Sequence, residues 1–193
     1  MPTLLLKFDA PIQSWGTTLK LKDHDTQMYP SKSGVIGMIA SAMGRRRDEN
    51  INDIADLRFG VRIESPGILL DDFQVSEVSE KEKKIGHRKY LSDAVFLCGI
   101  EGEKERLTEI QYALLHPANA IYLGRRSCPA TPDLVQGLYD EDLESVLGRY
   151  DRSKGLEQIV IETDSMSGIA VKDVPISFSP FNRQYSYRFI KII

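Results

Sequence analysis

The sequence predicts an α+β fold in which an antiparallel sheet carries two helices on one face. Short apolar runs are typical of strands, and two stretches with one apolar face at helical spacing predict helices. The chain has 193 residues, 41% of them hydrophobic, which is enough for one sizeable core. It shows no leader pattern and no apolar run of about 20 residues that would span a bilayer. We therefore expect a soluble intracellular protein.

The first strand is predicted at residues 3–9, a short aliphatic run. The first helix begins after Ser31 or Ser33, either of which supplies an N-cap oxygen. Gly34 and Gly37 lie early in this helix, where each costs about 1 kcal/mol relative to alanine. Such glycines are typical of a helix that packs closely on a sheet or lets a ligand approach its backbone.

The next elements alternate between strand and helix patterns. Pro117 stops the second helix, and the highly charged residues 79–84 have no core positions, which indicates a hairpin tip or loop. The predicted elements are strands at residues 57–63, 68–78, 90–100 and 120–123 and a helix at residues 104–116.

This order of strands and helices is that of ferredoxin-like (RRM-like) domains, in which two helices cover one face of the sheet and leave the other available. RNA-recognition domains use this fold, but so do many unrelated proteins, so the fold alone does not give the function. Beyond residue 132 the pattern changes to a short acidic helix at 139–147 and strand-like stretches toward residue 193. We therefore expect a core at residues 1–129 and a small β-rich extension at residues 130–193.

The charges give a mixed signal. The net charge of −3 does not point to a polyanionic partner. Basic residues nevertheless gather locally, which is compatible with a nucleic-acid partner inside a larger assembly and, more simply, with an ordinary mixed surface. These local groups are Lys20 and Lys22, Arg45 to Arg47, Lys81 to Lys89, and Arg125 with Arg126.

The sequence lacks the motifs of several kinds of functional site. His24, His87 and His116 lie on separate segments, and Cys98 and Cys128 lack paired metal-ligand spacing, so we expect no zinc site. The chain also lacks a P-loop, a dinucleotide-binding glycine motif and a nucleophile elbow. We expect no metal and no cofactor.

Three stretches favour binding of RNA phosphates. Residues 29–34 place an aromatic ring and a lysine at a helix N-terminus, where free N–H groups and the helix dipole attract anions. Residues 123–129 contain two adjacent arginines, whose guanidinium groups bind phosphate in a bidentate manner. Residues 85–90 end the charged stretch with cations and a tyrosine. In the predicted fold all three can lie around one edge of the sheet.

Five ordered blocks resemble the CasD family, the RAMP-type subunit of the type I-E CRISPR Cascade antiviral surveillance complex. They cover residues 3–129, and the last third matches only loosely, through a terminal strand at residues 185–193. The blocks are APIQSWG at 10–16, YPSKSG at 29–34, LRFGVR at 57–62, YLSDAVF at 90–96 and YLGRRSCP at 122–129.

The resemblance implies a ferredoxin-like RAMP core with a β-hairpin thumb at about residues 72–90, shorter than is typical of the family. It implies that the chain caps the 5′ handle of the CRISPR RNA (crRNA), with the thumb pressing across the RNA. The implied partners are the CasC backbone subunits and the large subunit CasA, in a cytoplasmic complex that also contains CasB and CasE.

The resemblance also implies site residues. Lys32 and Ser33 would hold handle phosphates at the helix N-terminus, as would residues 125–127 from the last core strand. Arg88 would support the RNA at its kink, and Trp15 is equally compatible with a place in the core. The residues expected to contact RNA are Gln13, Trp15, Tyr29, Lys32, Ser33, Arg88, Arg125, Arg126 and Ser127.

The main expectation is thus a non-catalytic RNA-binding subunit. The alternative is a metal-independent endoribonuclease that processes precursor crRNA, as in the related type I-C subunit. Tyr29, His87 and Lys89 nominally supply its acid–base groups and its cation. His87, however, borders a charged loop, which is a poor place to hold an imidazole to catalytic tolerance. A protein–protein adaptor without RNA contact is a third class.

Overall fold

The computed structural model describes residues 1–16, 26–79, 82–149 and 158–193. Predictions about Lys20, Lys22, His24 and Lys81 lie outside these residues. In the described ranges the helices are α1 (Lys32–Ala42), α2 (Asn52–Ala55), α3 (Lys104–Leu115) and α4 (Leu143–Arg149). The strands are β1 (Thr3–Asp9), β2 (Ile12–Gln13), β3 (Arg58–Ser65), β4 (Ile68–Ser79), β5 (Glu82–Ser92), β6 (Val95–Glu101), β7 (Val135–Tyr139), β8 (Gln158–Thr163), β9 (Ile169–Ser177) and β10 (Gln184–Ile192).

Seven of the described strands form one sheet, in the order β7-β1-β6-β3-β8-β10-β9. Every neighbouring pair in it is antiparallel. The predicted mixed fold with a mainly antiparallel sheet is therefore confirmed. No helix in the described ranges is long and apolar enough to cross a membrane.

The two faces of this sheet are both covered. Leu4, Leu6 and Phe8 of β1 face the main core, which contains the apolar sides of α1 and α3. Leu5 faces the other way and packs with α4 in a second apolar cluster. The expectation of a free second face is thus wrong over α4. A Cβ at Gly99 would lie 2.3 Å from Leu143, so the missing side chain on β6 is what lets α4 approach.

The strand next to β1 differs from the prediction. Residues 120–123 form an isolated bridge between Tyr122 and Pro129 rather than a strand, and β7 takes the edge position instead. The chain turns back because Leu123 N–H donates to the Cys128 carbonyl at 2.7 Å. Strands from both sides of residue 129 share one sheet, and the division of the chain at that residue stays a prediction.

A long hairpin, made of β4 and β5, projects from the core. Its strands have 12 and 11 residues, so it is longer than the 72–90 segment inferred from sequence. β2 pairs with β5 at the base and completes a three-stranded sheet. Phe73 and Val75, which pair with His87 and Ile85, expose their apolar side chains.

Candidate nucleic-acid interface

The N-terminus of α1 is already occupied by a carboxylate of the same chain, that of Asp173. Lys32 N–H donates to Asp173 Oδ2 at 2.8 Å, and the N-cap Ser31 accepts from Gly34 N–H at 3.3 Å. Asp173 also accepts from Arg188 Nε at 2.6 Å. The expectation that this helix end holds an RNA phosphate is therefore wrong in this structure, because a carboxylate from β9 takes that place.

The Lys32 side chain also points away from solvent. It is 2% exposed, and its Nζ lies 2.9 Å from Glu162 Oε2, which also accepts from Phe59 N–H at 3.1 Å. Burial lowers the pKa of Lys32, and the Glu162 carboxylate opposes that shift. Lys32 thus fixes α1 to β8, and we correct its assignment to the RNA surface.

Gln13 and Trp15 are structural as well. Both are 0% exposed. Gln13 Nε2 donates to the carbonyls of Phe8 at 3.2 Å and Ala94 at 2.8 Å, and its Oε1 accepts from Trp15 Nε1 at 3.1 Å. The Trp15 ring packs directly against Gly34, since a Cβ atom on that glycine would lie only 2.9 Å from the ring. These two side chains therefore belong to the core rather than to the RNA surface.

A groove of about 640 Å³ runs along α1. Small residues of the helix, Ser33, Gly34, Gly37 and Ala40, line it together with residues from the 119–126 segment and from the loop after β9. None of the described lining residues is acidic. The groove is instead rich in guanidinium groups, which come from Arg45, Arg46, Arg47, Arg126 and Arg183.

Three of these arginines are available for a ligand. Arg45 pairs with Asp53 and holds the pKa of that carboxyl below its usual value, and Arg46 lies 3.3 Å from Asp48. Within the described residues, the remaining three have no carboxylate partner, so no neighbouring acid neutralises their charge at the groove. They are Arg47, Arg126 and Arg183.

The 123–128 turn sends its two arginines in different directions. Gly124 has a φ of +91°, and a Cβ there would lie 1.6 Å from the Ser14 carbonyl oxygen, so only glycine lets the turn press against that segment. Arg126 lines the groove. Arg125 lies over the ring of Tyr90 with 5.0 Å between its Cζ and the ring centroid.

Tyr90 stands at the centre of a second cluster, at the base of the hairpin. Its hydroxyl accepts a hydrogen bond from Ser127 Oγ at 3.3 Å. That hydrogen bond, followed by Arg125 and Arg88, lowers the pKa of Tyr90. Because Arg125 and Arg126 are consecutive, with Cα atoms about 3.8 Å apart, this cluster adjoins the groove. The structure therefore brings together Ser33, Arg88 and residues 125–127 from the predicted set.

Replacing Ser127 by alanine is expected to raise the pKa of Tyr90 toward its ordinary value, because its largest stabilising contact is then lost. The measurement is an NMR pH titration of Cζ-labelled tyrosine, with Tyr90→Phe assigning the resonance. Ser165→Ala, in the turn between β8 and β9, is the control. An unchanged Tyr90 titration in Ser127→Ala would contradict this cluster.

Tyr29 and His87, the two acid–base groups named for RNA cleavage, have their neighbours on different elements. Tyr29 is half-buried beside Asp173 and Arg188, and burial raises its pKa. His87 lies on the hairpin, with its Nδ1 3.1 Å from Asp71 Oδ1 and its ring in a T-shaped contact with the ring of Phe73. Within the described residues Tyr29 and His87 make no contact with each other.

The comparison with protein families decides the identity of the chain. The model for the CRISPR-associated proteins of the Cas5 type matches residues 3–191. The chain belongs to the Cas5 family. The predicted CRISPR-associated resemblance is thereby confirmed, and it includes the last third of the chain that the sequence blocks covered only loosely.

Relatives of this Cas5 chain match it along nearly its whole length. It is 27% identical to the Cascade subunit CasD of Escherichia coli (strain K12), over 96% of this chain and 92% of the relative. A solved structure described as a Cas protein is 34% identical, with a TM-score of 0.79, over 99% of this chain and 93% of the other. A second, described as a CRISPR RNA-guided surveillance complex, is 30% identical, with a TM-score of 0.82 and coverages of 99% and 89%.

Part of the Cas5 groove lies outside the predicted site residues. The Arg45 to Arg47 run was visible as a basic cluster but was not placed in the site. Phe178 and Arg183 line the groove from the β9–β10 connection, which the predicted extension left without a role. The signal for them was the interleaving of aromatic and basic residues between 178 and 188.

Proposed function

We propose that this Cas5 chain is a non-catalytic RNA-binding subunit of a type I-E Cascade surveillance complex and holds the 5′ handle of crRNA in its groove. The observation that carries the proposal is the arginine-rich lining without an acidic residue in the described part of the chain. Its relatives are named a Cascade subunit and a CRISPR RNA-guided surveillance complex. Both names fit an RNA ligand for this groove.

The groove suits the backbone of a single strand. Arg47, Arg126 and Arg183 offer forked donors to phosphate oxygens. At Gly37 the missing side chain lets the Phe178 ring pack against α1, since a Cβ there would lie 3.4 Å from that ring. Where the strand leaves the groove, Arg88 at the hairpin base supplies a further cation beside Tyr90.

The wider architecture supports the same assignment. The strand order β7-β1-β6-β3, with α1 and α3 in the connections, agrees with the order expected of a ferredoxin-like RAMP core and supports that part of the proposal. The β4–β5 hairpin is then the thumb that lies across the RNA. Its exposed apolar side chains suit contact with neighbouring subunits. The proposed partners are CasC, CasA, CasB and CasE, and the proposed location is the cytoplasm.

Separation of the candidate acid–base groups supports a binding role over a catalytic one. A ribonuclease needs its general base and acid within hydrogen-bond reach of one phosphodiester. Tyr29 has its electrostatic neighbours on β9 and β10, whereas His87 contacts β4. Incubation of the purified chain with precursor repeat RNA and EDTA tests this role. Site-specific cleavage that His87→Ala abolishes would overturn it.

Co-purification tests the RNA-binding role. The tagged chain, expressed with the other Cascade subunits and a CRISPR array, is expected to bring down crRNA whose 5′ ends lie at one fixed position in the repeat. Sequencing of the bound RNA measures those ends, and a preparation without the array is the control. Absence of RNA, or RNA with ends unrelated to the repeat, would contradict the proposal.

A further inference from the structure

The loop that joins β9 to β10, residues 178–183, carries an aromatic side chain that is fully exposed to solvent. Phe181 is 100% exposed. Two other residues of the same loop, Phe178 and Arg183, line the groove. The exposed ring is therefore only two residues from an arginine that faces the proposed RNA path.

Hydrogen bonds hold this loop in one shape. Ser179 N–H donates to Ser177 Oγ at 3.1 Å, and Phe181 N–H donates to Ser179 Oγ at 3.4 Å. Asn182 N–H donates to the Ser179 carbonyl at 3.2 Å. The backbone on both sides of Phe181 is thus fixed before any ligand arrives, which reduces the entropy lost on binding.

Single-stranded RNA is the ligand that needs both features. Proteins that bind single strands combine a basic groove for the backbone with aromatic rings on which unpaired bases stack. The groove supplies the cations. In the described lining this loop contributes one aromatic side chain, Phe178. Its ring packs against α1, 3.4 Å from where a Cβ on Gly37 would lie. Phe181 is the ring left open for a base.

We propose that the 178–183 loop is a stacking clamp, in which Arg183 binds a phosphate and Phe181 stacks on an unpaired base of the same RNA. This inference rests on the proposed function and adds to it a contact with a base. Because every base has a π face, stacking on Phe181 tolerates different bases at that position.

The test uses the full chain and single-stranded RNA with the 3′ part of the CRISPR repeat, carrying 2-aminopurine at one position at a time. We expect strong fluorescence quenching at one position with the wild-type chain. Phe181→Ala removes that quenching and weakens binding about 5- to 150-fold, the effect of one base–aromatic stack. Phe181→Trp retains both.

Met166→Ala is the matched control. Met166 is also a highly exposed apolar residue, at 87%, but it lies in the turn at the opposite end of β9, roughly 25 Å away along the strand. Its replacement is expected to leave the quenching and the affinity unchanged.

The outcomes separate the clamp from the proposed function. If the wild-type chain binds no RNA, alone or in the co-purified complex, both fail. If it binds and Arg126→Ala weakens binding, while Phe181→Ala changes neither affinity nor quenching, the clamp alone is overturned. Loss of partner subunits from Phe181→Ala preparations, with the RNA signal intact, assigns the ring to a protein contact and also overturns the clamp.

Discussion

Replacing Asp173 by alanine is expected to lower the free energy of unfolding by about 3–5 kcal/mol, the range for breaking a buried ion pair. Asp173 is 0% exposed and accepts from Arg188 Nε at 2.6 Å and Nη2 at 2.9 Å. Its loss leaves the Arg188 guanidinium as a buried charge without its carboxylate. Urea unfolding, compared at constant slope, measures the change.

Two further variants make this result specific. Asp140→Ala removes an exposed carboxylate that pairs with Lys104, and we expect a change within about 0.5 kcal/mol. Asp173→Leu combined with Arg188→Met replaces both charges by apolar groups and is expected to recover much of the lost stability. If Asp173→Ala unfolds at the same urea concentration as Asp140→Ala, the ion pair does not hold α1 in place.

Replacing Arg126 and Arg183 by alanine together is expected to weaken binding of repeat RNA about 100-fold, since each charged hydrogen-bond contact contributes roughly 1.5 kcal/mol, about a factor of ten. The slope of log K against log salt is expected to fall by about 1.4, at about 0.7 per phosphate contact with single strands. Fluorescence anisotropy at several salt concentrations measures both quantities.

The matched control for this pair removes the same charge elsewhere. Lys104 and Arg149 are exposed, pair with Asp140 and Glu141, and are absent from the groove lining. Their double alanine variant is expected to keep the wild-type slope. An unchanged slope in a folded Arg126 and Arg183 double variant would remove these arginines from the RNA site.

Local patterns predicted most of the fold. The first helix was evident from its serine cap, its apolar spacing and Gly44, whose φ is +76°, because each of these signals lies within a few residues of the element it defines. The position of β7 was not evident, because the turn that follows Tyr122 depends on the contact between Gly124 and Ser14, more than a hundred residues earlier.

The candidate site was harder to predict for the same reason. Lys32 resembles a phosphate ligand in sequence, but its partners Glu162 and Asp173 are 130 and 141 residues away. No local pattern shows that these carboxylates neutralise it. Arg126 was predicted from its neighbours in the sequence. Arg183 lines the groove from the loop that follows β9, and the packing of β9 against α1 has no local pattern that would predict it.

The arrangement of the groove sets a limit on when it can exist during synthesis. Its lining draws on Ser33 near the start of the chain and on Arg183 near the end of the described residues. The amino-terminal part emerges from the ribosome first, but the site is incomplete until residue 183 has followed. Under the proposed function, the complete groove can therefore bind RNA only once residue 183 has left the ribosome.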